Sequence, residues 1–123
     1  MQLVDQTDAG GPLIRHVAND AIAVGAREWR ESFLIQPGTE IVSWSVPALS
    51  AFGAPQARSL LARNPALVIL GCGAKQAFPP AEFAAQLLRA GVGLETMPNA
   101  AAARTFNLLV GEGRNVLGAF LLP

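Results

Sequence analysis

The sequence predicts an α/β fold: a single three-layer domain with a central mixed sheet, N-terminal antiparallel strands and then βαβαβ-type units. Three observations carry that expectation. Residues Leu13 to Val46 come in short apolar runs separated by turn signals. Beyond Val46 the pattern switches between helical spacing and brief apolar stretches. One of those stretches, Leu67-Val68-Ile69-Leu70, is continuous, as in a strand buried on both faces of a sheet. Strand, helix, strand, helix, strand in this order implies parallel pairing through right-handed crossovers.

Taken in order, residues 1–12 are polar and end in Gly10-Gly11-Pro12, a loose lead-in. Leu13, Ile14 and Val17 open the first strand, and Asn19-Asp20 turns it into Ala21-Ile22-Ala23-Val24. Ser32 to Gln36 is the next apolar run, followed by Pro37-Gly38, a dipeptide suited to a hairpin connection. Ser43 and Ser45 alternate with Val42, Trp44 and Val46, the pattern of a half-buried strand that Pro47 ends. Together these strands read as an antiparallel meander.

Ala57, Leu60 and Leu61 recur at helical spacing within Ala54 to Arg63, with Pro55 in the first turn. Asn64-Pro65 stops that helix. After the strand at Leu67, Pro79-Pro80 opens a second helix with Phe83, Leu87 and Leu88 as its apolar stripe and Glu82 in its first turn. Gly91 ends it. Gly93 to Met97 is a short strand. Pro98-Asn99 starts a third helix, faced by Ala102, Ala103, Phe106, Leu109 and Val110 and ended by Gly111 and Gly113. Val116 to Leu122 is the last strand.

A chain of 123 residues accommodates one domain, here 1–123. With 51% apolar and 15% charged residues it has the composition of a folded protein. Zero formal net charge gives no electrostatic case for a nucleic-acid or anionic-membrane partner, although it leaves room for a local patch. Cys72 is the single cysteine and His16 the single histidine, so neither an intrachain disulfide nor a Cys/His zinc site can be assembled. No metal and no cofactor are expected. A Cys72–His16 nucleophilic pair is formally open, but a lone cysteine beside an apolar strand is ordinarily a small core residue. No serine sits in a nucleophile-elbow pattern. Trp29 and Trp44 are read as core residues, since no basic patch accompanies them. The densest apolar run, Ala66 to Ala74, falls well short of the roughly 20 residues of a membrane span. Met1-Gln2-Leu3-Val4-Asp5 lacks the basic and apolar regions of a secretory signal, so the expected location is cytoplasmic.

Two places could hold chemistry. Gly71-Cys72-Gly73-Ala74-Lys75 lies beyond the carboxyl end of a strand, where backbone N–H groups in α/β sheets can face an anion. Gln76 stands where a dinucleotide fingerprint needs glycine, and no Walker A spacing is present, which favours a tight turn over a ligand loop. The second place is a polar group near the C-terminus: Glu95, Arg104, Thr105, Asn107, Glu112 and Arg114. Arg104 and Asn107 are three apart and share a helix face. These side chains could fix a polar ligand, or neutralise one another around the helix end.

The stretches Leu70-Gly71-Cys72-Gly73, Phe78-Pro79-Pro80, Gly91-Val92-Gly93-Leu94-Glu95-Thr96-Met97 and Ala102-Ala103-Arg104-Thr105-Phe106-Asn107-Leu108-Leu109-Val110-Gly111-Glu112-Gly113-Arg114 resemble a family of small α/β proteins. That family, often labelled a domain of unknown function, includes the mitochondrial respiratory complex I assembly factor 3 and many uncharacterised bacterial and archaeal relatives. The resemblance covers nearly the whole chain and is most specific from Glu95 to Arg114. It implies a three-layer fold, no established enzymatic activity, and a scaffold-like role in respiratory or membrane-complex assembly. The family-like positions are Gly71, Gly73, Glu95, Met97, Ala102, Arg104, Thr105, Asn107, Glu112 and Arg114. The family commonly has Gly-Thr-Gly where this chain has Gly71-Cys72-Gly73, and Asp then Thr at Pro98 and Asn99; Asn99 can still cap the helix. The expected function is non-enzymatic protein binding, with Gly71, Gly73 and the C-terminal polar group as ligand- or partner-binding candidates and no catalytic residue assigned. The alternative is a small-ligand or minor enzymatic site between the glycine turn and the last helix.

Overall fold

Side-chain alternation along three strands sets the layers. The computed structural model describes residues 13–123; the lead-in expected over 1–12 lies outside the described residues. In β6 (Leu67–Gly71) Val68 and Leu70 face one side and Ile69 the other. In β8 (Val116–Phe120) Leu117 and Ala119 join the first side, Val116 and Phe120 the second. In β4 (Phe33–Ile35) Leu34 is opposed to Phe33 and Ile35 in the same way. These strands are buried on both faces, so apolar residues fill every position with a side chain.

With β5 (Val42–Ser43) and β7 (Gly93–Met97) they form a five-stranded sheet in the order β5-β4-β8-β6-β7. β6 runs parallel to β7 and β8, whereas β4 is antiparallel to β5 and β8. One face is covered by α1 (Ala54–Leu61) and α2 (Ala81–Arg89), through Ala57, Leu60, Phe83 and Leu87. The other is covered by α3 (Asn99–Gly111) and a small antiparallel sheet of β1 (Ile14–Val17), β2 (Ile22–Val24) and β3 (Arg27–Trp29). The three-layer α/β architecture with a mixed sheet is the one the sequence predicts.

The N-terminal meander is not continuous, contrary to expectation. β1 to β3 form their own sheet, and only β4 and β5 join the central one. β3 was not visible in the sequence because its Arg27 and Glu28 are exposed and only Trp29 is buried. The strand expected through Val46 stops at Ser43 for a packing reason. The Trp44 N–H still bonds to the Ser32 carbonyl at 2.8 Å, but its ring meets Phe52 edge-on at 5.5 Å and its indole Nε1 donates to Ser59 Oγ at 3.1 Å. The last strand ends at Phe120, two residues early, and the Leu122 N–H bonds to the Ser32 hydroxyl instead.

An aromatic row joins the small sheet to the central one. Trp29 packs on Phe33 at 5.2 Å, and Phe33 stacks on Phe120 at 5.4 Å. Phe106 of α3 meets Phe120 edge-on at 6.5 Å. Both tryptophans are buried, as expected. The Phe120 ring has room because two neighbouring positions lack side chains. A Cβ on Gly118 would sit 2.8 Å from Ile35 and 2.9 Å from the Phe120 ring, and one on Gly71 would sit 2.8 Å from the other edge of that ring. Replacing Gly118 by alanine should therefore lower the unfolding free energy by about 1–3 kcal/mol, read as an earlier urea midpoint. A midpoint equal to that of the unmodified chain would contradict this packing.

Candidate functional site

β6, β7 and β8 are parallel, so they finish on one side of the sheet at Gly71, Met97 and Phe120. Three chain segments meet there: the Gly71-Cys72-Gly73 turn, the start of α3, and the tail Leu121–Pro123. Asn99 holds them together. Its backbone N–H bonds to the Gly73 carbonyl at 2.8 Å and its side-chain Oδ1 accepts the Gly73 N–H at 3.2 Å. Its Nδ2 donates to the Leu121 carbonyl at 2.8 Å. Asn99 is 3% exposed. It is the first residue of α3, behind Pro98 at the N-cap, and its side chain makes no capping bond. The expectation that Asn99 caps the helix is thus corrected: the amide turns inward to the neighbouring loops. Gly71 must be glycine here, because a Cβ would collide with Asn99 Oδ1. Gly73 adopts φ +109°, which disfavours any side chain.

Beside this junction lies a cleft of about 480 Å³, lined by Ser32, Val46, Leu49, Cys72, Gly73 and Leu122 among others. It opens between the ends of β6 and β8, the place where α/β sheets bind ligands. Cys72 contributes a partly exposed thiol that accepts the Ala77 N–H at 3.3 Å and donates to the Lys75 carbonyl at 3.3 Å. His16 lines a different groove, so the formal Cys72–His16 pair is not assembled around one cavity. Among the described residues no three His, Cys, Asp or Glu side chains come together as metal ligands would.

The C-terminal polar residues do not gather at this cleft. α3 is 13 residues long, which separates its ends by about 20 Å. Glu112 and Arg114 lie at the far end, where the chain turns back into β8. Their backbone forms the helix stop: the Gly113 N–H bonds to the Val110 carbonyl and the Arg114 N–H to the Leu109 carbonyl, a Schellman arrangement. Asn107 is spent on structure. Its Oδ1 accepts the Ile14 N–H at 3.0 Å and its Nδ2 donates to the Ile14 carbonyl at 2.8 Å, which ties β1 to α3. The Thr105 hydroxyl contacts the Met97 sulfur at 3.4 Å. Arg104 is exposed on α3 and Glu95 on β7. Among the described residues, neither these two nor Glu112 and Arg114 form an ion pair. Mutual neutralisation around the helix end is therefore not what positions them.

Glu95 sits on a sheet edge. The Gly93 N–H bonds to the Ala66 carbonyl and the Met97 carbonyl accepts the Cys72 N–H, so alternate residues of β7 turn their backbone toward β6. Leu94 and Thr96 therefore turn theirs outward. The Thr96 carbonyl confirms this, accepting Gln76 Nε2 at 3.2 Å from the loop beyond the glycine turn. Among the described residues no strand pairs with that edge. The same loop carries Phe78, a large apolar side chain that is 72% exposed. Gln76 and Phe78 are not among the site residues expected from the sequence; the signal that points to Phe78 is the Phe78-Pro79-Pro80 stretch of the family resemblance, whose prolines are read there only as the start of a helix.

Residues 14–121 match the family model described as a protein of unknown function (DUF498/DUF598). The chain belongs to this family. Its fold is shared by solved structures of similar proteins. A structure of the Xanthomonas campestris protein XCC1710 is 35% identical, with a TM-score of 0.84 over 99% of this chain and 92% of that one. A Bordetella pertussis protein described as an Mth938-like domain is 25% identical, with a TM-score of 0.73 over 89% and 85% of the two chains. A Francisella tularensis subsp. holarctica protein named "13 kDa major membrane protein" is 44% identical over 57 residues. That match spans 46% of each chain, so this chain covers about half the length of the curated relative. No helix of the described residues is long and apolar enough to cross a membrane.

The two hydrogen bonds of Asn107 hold β1 against α3. Asn107→Ala should cost about 1–3 kcal/mol by leaving both Ile14 backbone groups without their partner. Amide hydrogen exchange at Ile14 should accelerate more than in the central sheet. Unchanged exchange at Ile14 would mean that β1 is held by other contacts.

Proposed function

We propose that this family member is a cytoplasmic, non-enzymatic domain that binds another protein along the open edge of β7. The observation that carries this reading is the outward-facing backbone of Leu94 and Thr96, to which Gln76, through the Thr96 carbonyl, ties the loop that bears the exposed Phe78. An extended segment adds to such an edge through main-chain hydrogen bonds, and alternate side chains supply selectivity. Phe78 supplies an apolar anchor next to the edge. Glu95 stands exposed at the centre of the strand, so the preferred segment carries Lys or Arg opposite it. In the fully overlapped antiparallel register a second copy would set Glu95 against Glu95, which favours a different partner over self-pairing. The resemblance to an assembly factor, and the membrane name of the Francisella relative, support a client that belongs to a respiratory or other membrane complex.

A second reading rests on the cleft between the ends of β6 and β8. Its position at the carboxyl side of parallel strands and its volume of about 480 Å³ suit a small, mostly apolar ligand held by a few polar groups, Ser32 and Cys72 among them. In that reading Gly73 shapes one wall of the site, and Gly71 lies behind it against Asn99 and Phe120.

Capped, soluble peptides of alternating Thr and Val, centred on either Lys or Glu, separate the readings. The Lys peptide should bind more tightly, move the amide resonances of Leu94 and Thr96, and lose its advantage to the Glu peptide when Glu95→Lys is introduced. Equal binding of both peptides, or shifts confined to the cleft residues, would rule out the edge.

A further inference from the structure

In one groove on the α3 side of the molecule, the ionisable residues among the described lining are all basic: Arg15, His16 and Arg104. The groove runs between β1 and α3, has a volume of about 230 Å³, and is lined by Arg15, His16, Ala100, Ala103, Arg104 and Asn107 with two apolar neighbours. We propose that this groove binds a small oxyanion of the phosphate-ester class.

The sequence builds the groove in three steps. Asn107 pins Ile14 with two hydrogen bonds, which fixes how closely β1 approaches the helix. Toward the start of α3 the helix presents only Ala100 and Ala103, whose short side chains leave the space unfilled. β1 then departs from regular pairing: its register with β2 shifts between Ile14 and His16. In an unbroken strand successive side chains point to opposite faces. Here Arg15 and His16 are both exposed.

The charges agree in sign. Among the described residues, none that lines the groove is acidic. Arg104 has no carboxylate within ion-pair distance among the described residues. Arg15 donates from Nη1 to the Gly25 carbonyl at 2.7 Å, which orients the guanidinium and leaves its other N–H groups available. Ala100 lies in the first turn of α3, the end of a helix that carries partial positive charge. A planar guanidinium pairs with two oxygens of a phosphate at once, so a phosphate ester fits this lining better than a halide or an isolated hydroxyl. In a protein with zero formal net charge, this gathering of like charge is local. The site is separate from the β7 edge and does not depend on the partner proposed for it.

The same chemistry is offered by a soluble phosphate ester and by the headgroup of an anionic lipid. Two arms distinguish them with the full chain. In the first, glycerol phosphate is titrated into isotope-labelled protein. Saturable shifts at Arg15, His16 and Ala100 to Arg104, weakened about tenfold in Arg104→Gln and only partly restored in Arg104→Lys, which keeps the charge but not the two-pronged geometry, would support a soluble ligand. In the second, the protein is sedimented with vesicles of phosphatidylcholine with or without phosphatidic acid. Binding that needs phosphatidic acid and is lost in Arg104→Gln, without saturable binding of glycerol phosphate, would support a headgroup. Arg104 is exposed, and an unchanged melting temperature of Arg104→Gln excludes loss of fold as the cause. Linear, unsaturated shifts with glycerol phosphate together with no Arg104-dependent vesicle binding would overturn the proposal. So would saturable binding that Arg104→Gln and His16→Gln leave unaltered.

Discussion

One buried amide organises the carboxyl end of the sheet. Asn99 bonds to both backbone groups of Gly73 and to the Leu121 carbonyl, and so joins three segments that are distant in sequence. An asparagine side chain offers a donor and an acceptor in one plane, which is what a carbonyl on one loop and an N–H on another require. Leaving such buried groups unpaired is costly, so the arrangement is strongly preferred once formed. It also fixes the residues around it. Gly71 has to lack a side chain to admit the amide, and Gly73 has to take a left-handed backbone to present both of its groups. The glycine turn that resembles a ligand loop is thereby explained by packing.

That constraint bears on where function can reside. Of the polar residues most suggestive in the sequence, Arg104, Thr105 and Asn107 lie on a helix of 13 residues, Glu95 on the strand before it and Glu112 and Arg114 beyond it, and they serve different ends of the molecule. Asn107 holds β1, Thr105 contacts Met97, and Glu112 and Arg114 flank a helix stop. What stays available for recognition is peripheral: the β7 edge with Glu95 and Phe78, the cleft beside Gly73, and the groove beneath Arg104. A packed centre with open margins leaves recognition to these surfaces, and it is there that the proposed partner and ligand are placed.

Much of the fold was legible because its signals are local. The strand Gly93–Met97 is observed as expected, and the helix begun at Asn99 ends at Gly111, because glycine and proline mark their boundaries. Leu67–Leu70 is apolar throughout because both faces of β6 are covered. The failures are equally physical. β3 pairs through its backbone while Arg27 and Glu28 face solvent, so no periodicity betrays it. Trp44 leaves its strand to reach Phe52, a tertiary preference that no local pattern encodes. The polar cluster failed as a single site because helix-face arithmetic gives neighbours along α3 but not which end of the sheet each reaches. Asn99 was seen as a cap, since its inward role needs Leu121, 22 residues away, to be visible. The β7 edge was illegible for the same reason: strand order, which places β8 between β4 and β6, decides which strand is left unpaired.

The carboxyl end of the sheet depends on the Asn99 amide being a closed, buried junction. Native-state hydrogen exchange at the Gly73 amide measures this most directly. The bond to Asn99 Oδ1 predicts that this loop amide exchanges about as slowly as the strand amides of β6, and that Asn99→Ala brings it to the rate of an open loop. Fast exchange at Gly73 in the unmodified chain, equal to that of its exposed neighbours Ala74 and Lys75, would show that the junction does not exist in solution.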